Sequence, residues 1–192
     1  MNFSEAVTEV LSIVKRPDKA LVAARELNAA ILFCCTNAEF ARDLVEMSIP
    51  IDAASYAQNL DLTDTDLFVR FRKFKAMKAP GINGYLGQLE PDKIFTRGVE
   101  LLNKFYVAGN QVNFKLCALS DTINVSYYQY PPILSGVDTF WLLDVQPYML
   151  IDRAAAKIFR TIGDDKSADR HDADFRLVYM AAINDLRTGA AS

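Results

Sequence analysis

Residues 147–187, PYMLIDRAAAKIFRTIGDDKSADRHDADFRLVYMAAINDLR, decide the fold because they carry two helical stripes with almost nothing between them. Pro147 suits a first helical position, where a missing N–H costs nothing. Behind it Leu150, Ile151, Ala154, Ala155, Ile158, Phe159 and Ile162 recur at spacings of three and four, one apolar face. Gly163 stands where a left-handed C-terminal cap is wanted, and Asp164-Asp165 can open the next helix as cap and first-turn acid. A second stripe follows through Ala168, His171, Phe175, Val178, Ala182 and Leu186. The stretch reads as an antiparallel helical hairpin. Two facing stripes leave open apolar edges, and the rest of the chain has to cover them.

The N-terminus supplies the cover. Asn2 and Glu5 have the spacing of a capping box, and Phe3, Val7, Val10, Leu11 and Val14 make a helix over residues 3–15. After the Pro17-Asp18 break, Ala20, Ala24, Leu27, Ile31 and Cys34 step along a second helix that ends near Cys35. Past Asn37 the period changes to two, the strand period, in Phe40–Ile49 and again in Val69–Arg72. Leu60 and Leu62 anchor a polar turn at Asp61–Asp66. Val69–Lys78 alternates in two phases, which a bulge near Lys73 reconciles. Ala108-Gly109-Asn110 marks a hairpin, and Ile123, Val125 and Tyr127 alternate once more before Tyr130-Pro131-Pro132. A helical turn is expected around Pro91–Asn103. Residues 131–146 are the return path, with a turn at Gly136 and an apolar patch at Phe140–Leu143.

The fold class expected is therefore α+β: a small antiparallel helical bundle of two N-terminal and two C-terminal helices with an inserted antiparallel β-sheet region. The boundaries expected are 1–37 and 147–192 for the bundle, and 38–146 for the β-rich insertion with its return segment.

The 192 residues are 51% hydrophobic and 23% charged, the composition of a folded chain. A net charge of -3 gives no support to a nucleic-acid reader gripped by phosphate contacts. No apolar run reaches the roughly 18 residues that span a bilayer. With Glu5 and Glu9 in its first amphipathic pattern the N-terminus does not look like an export signal, so a cytoplasmic site of synthesis and no membrane partner are expected. Cys34, Cys35 and Cys117 lack ligand spacing and are expected as buried free thiols. His171 is the single histidine, which removes most zinc and iron sites, so neither metal nor cofactor is expected. It reads as a core or boundary residue bonded to a neighbouring acid. There is no G-x-S-x-G context, and GINGYLG at 81–87 lacks the Lys-Ser/Thr of a phosphate loop. No catalytic set emerges, and the chain is expected not to be an enzyme.

What remains points to contact surfaces. Arg70, Arg72, Lys73 and Lys75, with Phe71 and Phe74 between them, are either a solvated strand face or an electrostatic surface for an acidic protein or a DNA backbone. Tyr128, Tyr130 and Trp141 belong to the densest aromatic group, which divides between core and protein-binding anchor. Asp169, Arg170, Asp172 and Arg176 crowd the second hairpin helix around a modest apolar stripe, which makes its outer side a docking face, extended by the chain end Gly189–Ser192.

The run YYQYPPIL leading into DTFWLLDVQPYMLIDRAAAKIFRTIGDDKSADRHDADFRLVYMAAINDLR resembles the head-to-tail adaptor proteins of tailed bacteriophages, the neck or connector proteins of the tail tubular protein A type. AARELNAAILFCC is similar to the opening of that family, and VRFRKFKAM to its basic strand after an acidic, leucine-containing turn. The resemblance implies a structural virion protein at the head–tail junction. Such adaptors form a ring, commonly of twelve copies, between the portal protein and the tail tube or nozzle protein, and the genome passes through it. Non-specific contact with double-stranded DNA in the lumen follows from that role, and a mildly acidic chain would release DNA easily. The alternatives are a cytoplasmic protein-binding module anchored by the aromatic group, or a small ligand-binding or enzyme domain.

Overall fold

The computed structural model describes residues 1–94 and 100–187, which form an α+β protein of two units. One unit joins residues 1–43 to the chain from Tyr130 onward, and the other is Leu44–Gln129.

The first unit is helical. Helix α1, Phe3–Val14, begins with the expected capping box: Glu5 N–H donates to Asn2 Oδ1 and Asn2 N–H to Glu5 Oε2, both at 2.9 Å. Two further first-turn amides, Phe3 and Ser4, donate to the Asp138 and Gly136 carbonyls of the return segment. Orphan donors at the helix start are thus met by the return segment, far away in sequence. Helix α2, Ala20–Asn37, buries Ala23, Leu27, Ala30, Ile31, Cys34 and Cys35. Leu27, Ile31 and Cys34 of the expected seam are buried, and only its start departs: Ala23 takes the inner position while Ala20 is exposed and Ala24 half-buried. The cause is that α2 packs on both α1 and α4, so it needs a broad face rather than a narrow seam.

Helix α4, Pro147–Thr161, is the centre of this unit, packed by α1, α2, the short α3 (Trp141–Val145) and α5, Asp165–Arg187. Met149, Leu150, Ile151, Ala154, Ala155, Ala156, Ile158 and Phe159 are all buried on it. Each fully buried leucine or isoleucine there contributes about 2 kcal/mol. Gly163, at φ 80°, makes the left-handed turn between α4 and α5, and Asp164 Oδ1 accepts Ser167 N–H at 3.1 Å. Ile162, expected on the inner stripe, is exposed because it lies past the last turn of α4.

The second unit holds two sheets, ordered β1-β7-β3 and β2-β6-β5-β4, with β1 Leu44–Pro50, β2 Ala57–Asp61, β3 Phe71–Lys78, β4 Gly87–Gln88, β5 Lys104–Ala108, β6 Gln111–Lys115 and β7 Thr122–Gln129. Among the described residues the strand pairings are antiparallel except the two-residue β4–β5 contact, and a single parallel bridge joins Leu102 to Lys115. The register of β3 on β7 slips between Phe71 and Lys73 and again between Phe74 and Ala76. Those bulges let Phe71, Phe74 and Met77, three apart, all reach the unit's core. There Phe68, Phe71, Phe74, Tyr127 and Phe105 meet edge-on or tilted in a chain of rings 4.7–6.0 Å apart.

Two expected boundaries move. Strand β1 starts at Leu44, and Phe40 before it belongs to the helical core. The return segment also belongs there, since Leu134, Leu142 and Leu143 are buried in that core. Of the turn expected at Pro91–Asn103, Pro91–Lys93 is a single 3-10 turn, and 95–99 lie outside the described residues.

Candidate interaction surfaces

The basic run and the aromatic run meet. Tyr128 is 5% exposed, and Arg72, Lys73 and Lys75 place their cations 5.5, 5.6 and 6.0 Å from its ring centre. The register explains this, because Lys73 lies opposite Tyr128 across β3 and β7. Tyr128 is therefore not an accessible anchor; it is the apolar floor beneath a row of cations. Arg70, left-handed at φ 48°, turns the chain into β3 and donates to Gln129 Oε1 at 3.1 Å.

Trp141 is likewise committed to the fold. Its ring packs edge-on to Phe40 at 5.2 Å, and its Nε1–H donates to Asp43 Oδ1 at 2.8 Å, a carboxylate in a residue 2% exposed. Tyr130 stays 41% exposed and open to contact. Cys34 and Cys35 are buried as expected, and burial pushes the Cys34 thiol up to about 12. Cys117 is exposed, a departure from the expectation: its apolar neighbour Leu116 takes the core position, and Cys117 N–H reaches out to Asn103 Oδ1.

His171 Nδ1 lies 2.8 Å from Asp152 Oδ1 of α4, and its ring stacks on Phe159. The partner acid lies across the hairpin, and neither flanking aspartate, Asp169 or Asp172, takes that place. Beside it the Arg153 guanidinium sits 3.5 Å over Phe33 and 4.7 Å over Phe175, where burial lowers its pKa. This cluster fastens α5 to α2 and α4. Among the described residues no group of three or more His, Cys, Asp or Glu side chains is placed to hold a metal. No helix of the described residues is long and apolar enough to cross a membrane.

Along the flank of α5 that faces α4, Asp169 and Asp172 both pair with Arg160, so Asp172, its side chain only 14% exposed, is no part of an outer docking face, whereas Arg170 and Arg176 are exposed. Between these charges lie Leu177 and Met180, 76% and 64% exposed, lining a shallow hollow of about 590 Å³ with Arg176. Sequence reasoning passed over both, although their spacing of three puts them on one helical face.

A second surface was also missed. Pro131, Pro132 and Ile133 run beside α2 and enclose a hollow of about 350 Å³ with Arg25, Ala29 and Leu32. Asn28 fixes that strap: its Nδ2–H donates to Leu134 O at 3.0 Å, and Leu134 N–H donates to its Oδ1 at 2.9 Å. In the β unit, the polar face of β1-β7-β3 forms a third hollow of about 420 Å³ with Glu46, Ser48, Lys78, Asn124 and Ser126. Compared with protein-family models and with curated proteins, the sequence matches none.

Proposed function

We propose that this chain is a structural adaptor of a tailed bacteriophage, a ring subunit that bridges the portal to the tail tube or nozzle and surrounds the passing genome. The observation that carries the proposal is the state of the run on which the resemblance rests. It folds as the tight α4–α5 hairpin closed by α1 and α2, and the outer side of α5 bears an apolar seam that nothing in its own unit covers. An uncovered seam rimmed by charge suits assembly with other protein. The test looks for a portal gene in the same genome, mixes the purified chain with that portal protein and measures the mass of the product. A defined multimer of this chain on the portal, seen as a ring by electron microscopy, is the expected result. Absence of the chain from purified particles would refute the adaptor role, and a strongly basic lumen would refute the account of easy DNA release.

A further inference from the structure

The outer face of the β2-β6-β5-β4 sheet carries a pair of like charges that the fold itself does not use. In the antiparallel ladder of β5 on β6, Lys104 stands directly opposite Lys115, and Tyr106 directly opposite Asn113, which Asn59 of β2 meets from its other side. Leu60, Phe105, Val107, Val112 and Phe114 alternate with them and turn into the core. Directly opposed side chains start about 5 Å apart, and like charges so placed cost stability. Neither lysine has an ion pair among the described residues. The acid on this face of β2, Asp61, lies four residues from Ala57, the residue opposite Lys115. Its Oδ1 already accepts the Thr63 N–H and hydroxyl, at 2.8 and 2.7 Å.

The surroundings say which anion suits the pair. Asn59, Lys104, Tyr106, Asn113 and Lys115 line one hollow of about 240 Å³. Two residues of strand put Tyr106 about 7 Å beyond the lysines, the reach from a phosphate to the base it carries. The half-buried tyrosine ring is a platform for stacking. The side-chain amides of Asn59 and Asn113 make no bond to another described residue, and each can donate to and accept from a base edge. An acidic peptide would use the lysines and leave ring and amides idle. A duplex would bring phosphates but keep its base faces stacked beyond the ring's reach.

We infer that this face binds single-stranded nucleic acid, with one phosphate between Lys104 and Lys115 and its base on Tyr106. The net charge of -3 does not oppose this, because charges more than about 8–10 Å away are screened. The inference goes beyond the adaptor reading and is independent of it: oligonucleotide binding and assembly on the portal are scored separately.

The test titrates the full chain into a fluorescein-labelled oligodeoxythymidylate of about twelve nucleotides, within the site sizes of such surfaces, and follows anisotropy. Saturable binding with Kd of about 1–100 μM at about 50 mM salt is expected. Lys104→Ala with Lys115→Ala should weaken binding and flatten the slope of log affinity against log salt by about 0.7, one phosphate contact, with a melting temperature no lower than wild type. Tyr106→Leu, which keeps the bulk and loses the ring face, should bind at least about fivefold more weakly with the slope unchanged, and Tyr106→Phe should bind as wild type does. Should the alanine pair unfold the chain, Lys104→Gln with Lys115→Gln replaces it. A wild type that does not bind, a lysine variant with wild-type affinity and slope, a Tyr106→Leu chain that binds as wild type, equal affinity for the duplex of the same length, or equal competition by polyglutamate would each overturn the inference.

Discussion

Replacing Asn28 by alanine should loosen the strap without touching the core. The amide makes two bonds to Leu134, at 3.0 and 2.9 Å, and a weaker one to Ala24 O at 3.3 Å. Leu134 is 4% exposed, so its N–H and C=O would lose their partner where water reaches them poorly. Two net bonds of about 1 kcal/mol each, partly recovered or worsened by local relaxation, give a loss of about 2 kcal/mol. For a chain of this length that lowers Tm by about 4–8 °C. The sharper reading is local: the Leu134 amide loses its acceptor and should quicken by well over the about thirtyfold that the global loss alone imposes on amides in α4. As a control, Asn37→Ala at the exposed end of α2 removes a bond to Phe33 O and should cost about 0.5 kcal/mol or less. An Asn28→Ala chain with unchanged Tm and unchanged exchange at Leu134 would refute the claim that this side chain holds the strap.

Trp141→Phe removes an N–H donor from the buried Asp43 carboxylate and should cost about 1.5–3 kcal/mol in urea unfolding followed by circular dichroism. A double-mutant cycle with Asp43→Ala should give coupling above about 1 kcal/mol, and a coupling near zero would return Trp141 to the list of surface anchors. Gly163→Ala should destabilise by about 1–2 kcal/mol through its left-handed backbone alone, since a Cβ there meets nothing within 4 Å; an unchanged Tm would contradict this. Thiol reagents at pH near 8 should label Cys117 in the native protein and reach Cys34, raised to about 12, only after unfolding. Three native thiols labelled at one rate would show that the helical core is open.

The parts of this fold that were legible are those whose signals are local. The Asn2–Glu5 box, the Pro147 start and the Gly163 turn each state their structure within five residues, and each is where the spacing puts it. Strand β2 was missed because Leu60 is its one buried residue, and a single apolar position has no period to read. The division into two sheets could not be read because strand order is a matter of long-range pairing. Tyr127 and Tyr128 show how alternation misleads. Adjacent strand residues face opposite ways, so one tyrosine was due to be exposed, yet both are buried. Tyr127 enters the core, and Tyr128 is covered by the stems of three cations contributed by β3, a partner far off in sequence.

Helix α5 poses the same difficulty in reverse. Its inner stripe was legible because Ala168, Phe175 and Ala182 repeat at a spacing of seven. The outer seam was hidden by the charges around it: in DADFRLVYM, Leu177 and Met180 lie among residues of both kinds, and an even mixture looks like a solvated face. Only when the inner face is known does the remainder become informative. A helix at the edge of a bundle needs one apolar side to stay folded, and a second side 180° away adds nothing to the monomer. Leucine and methionine held in water on that second side cost solubility, as do Ile133 on the strap and Leu21 on α2. Neither surface is covered by the described elements of its own unit, so neither could be read from a period that records only what the monomer buries.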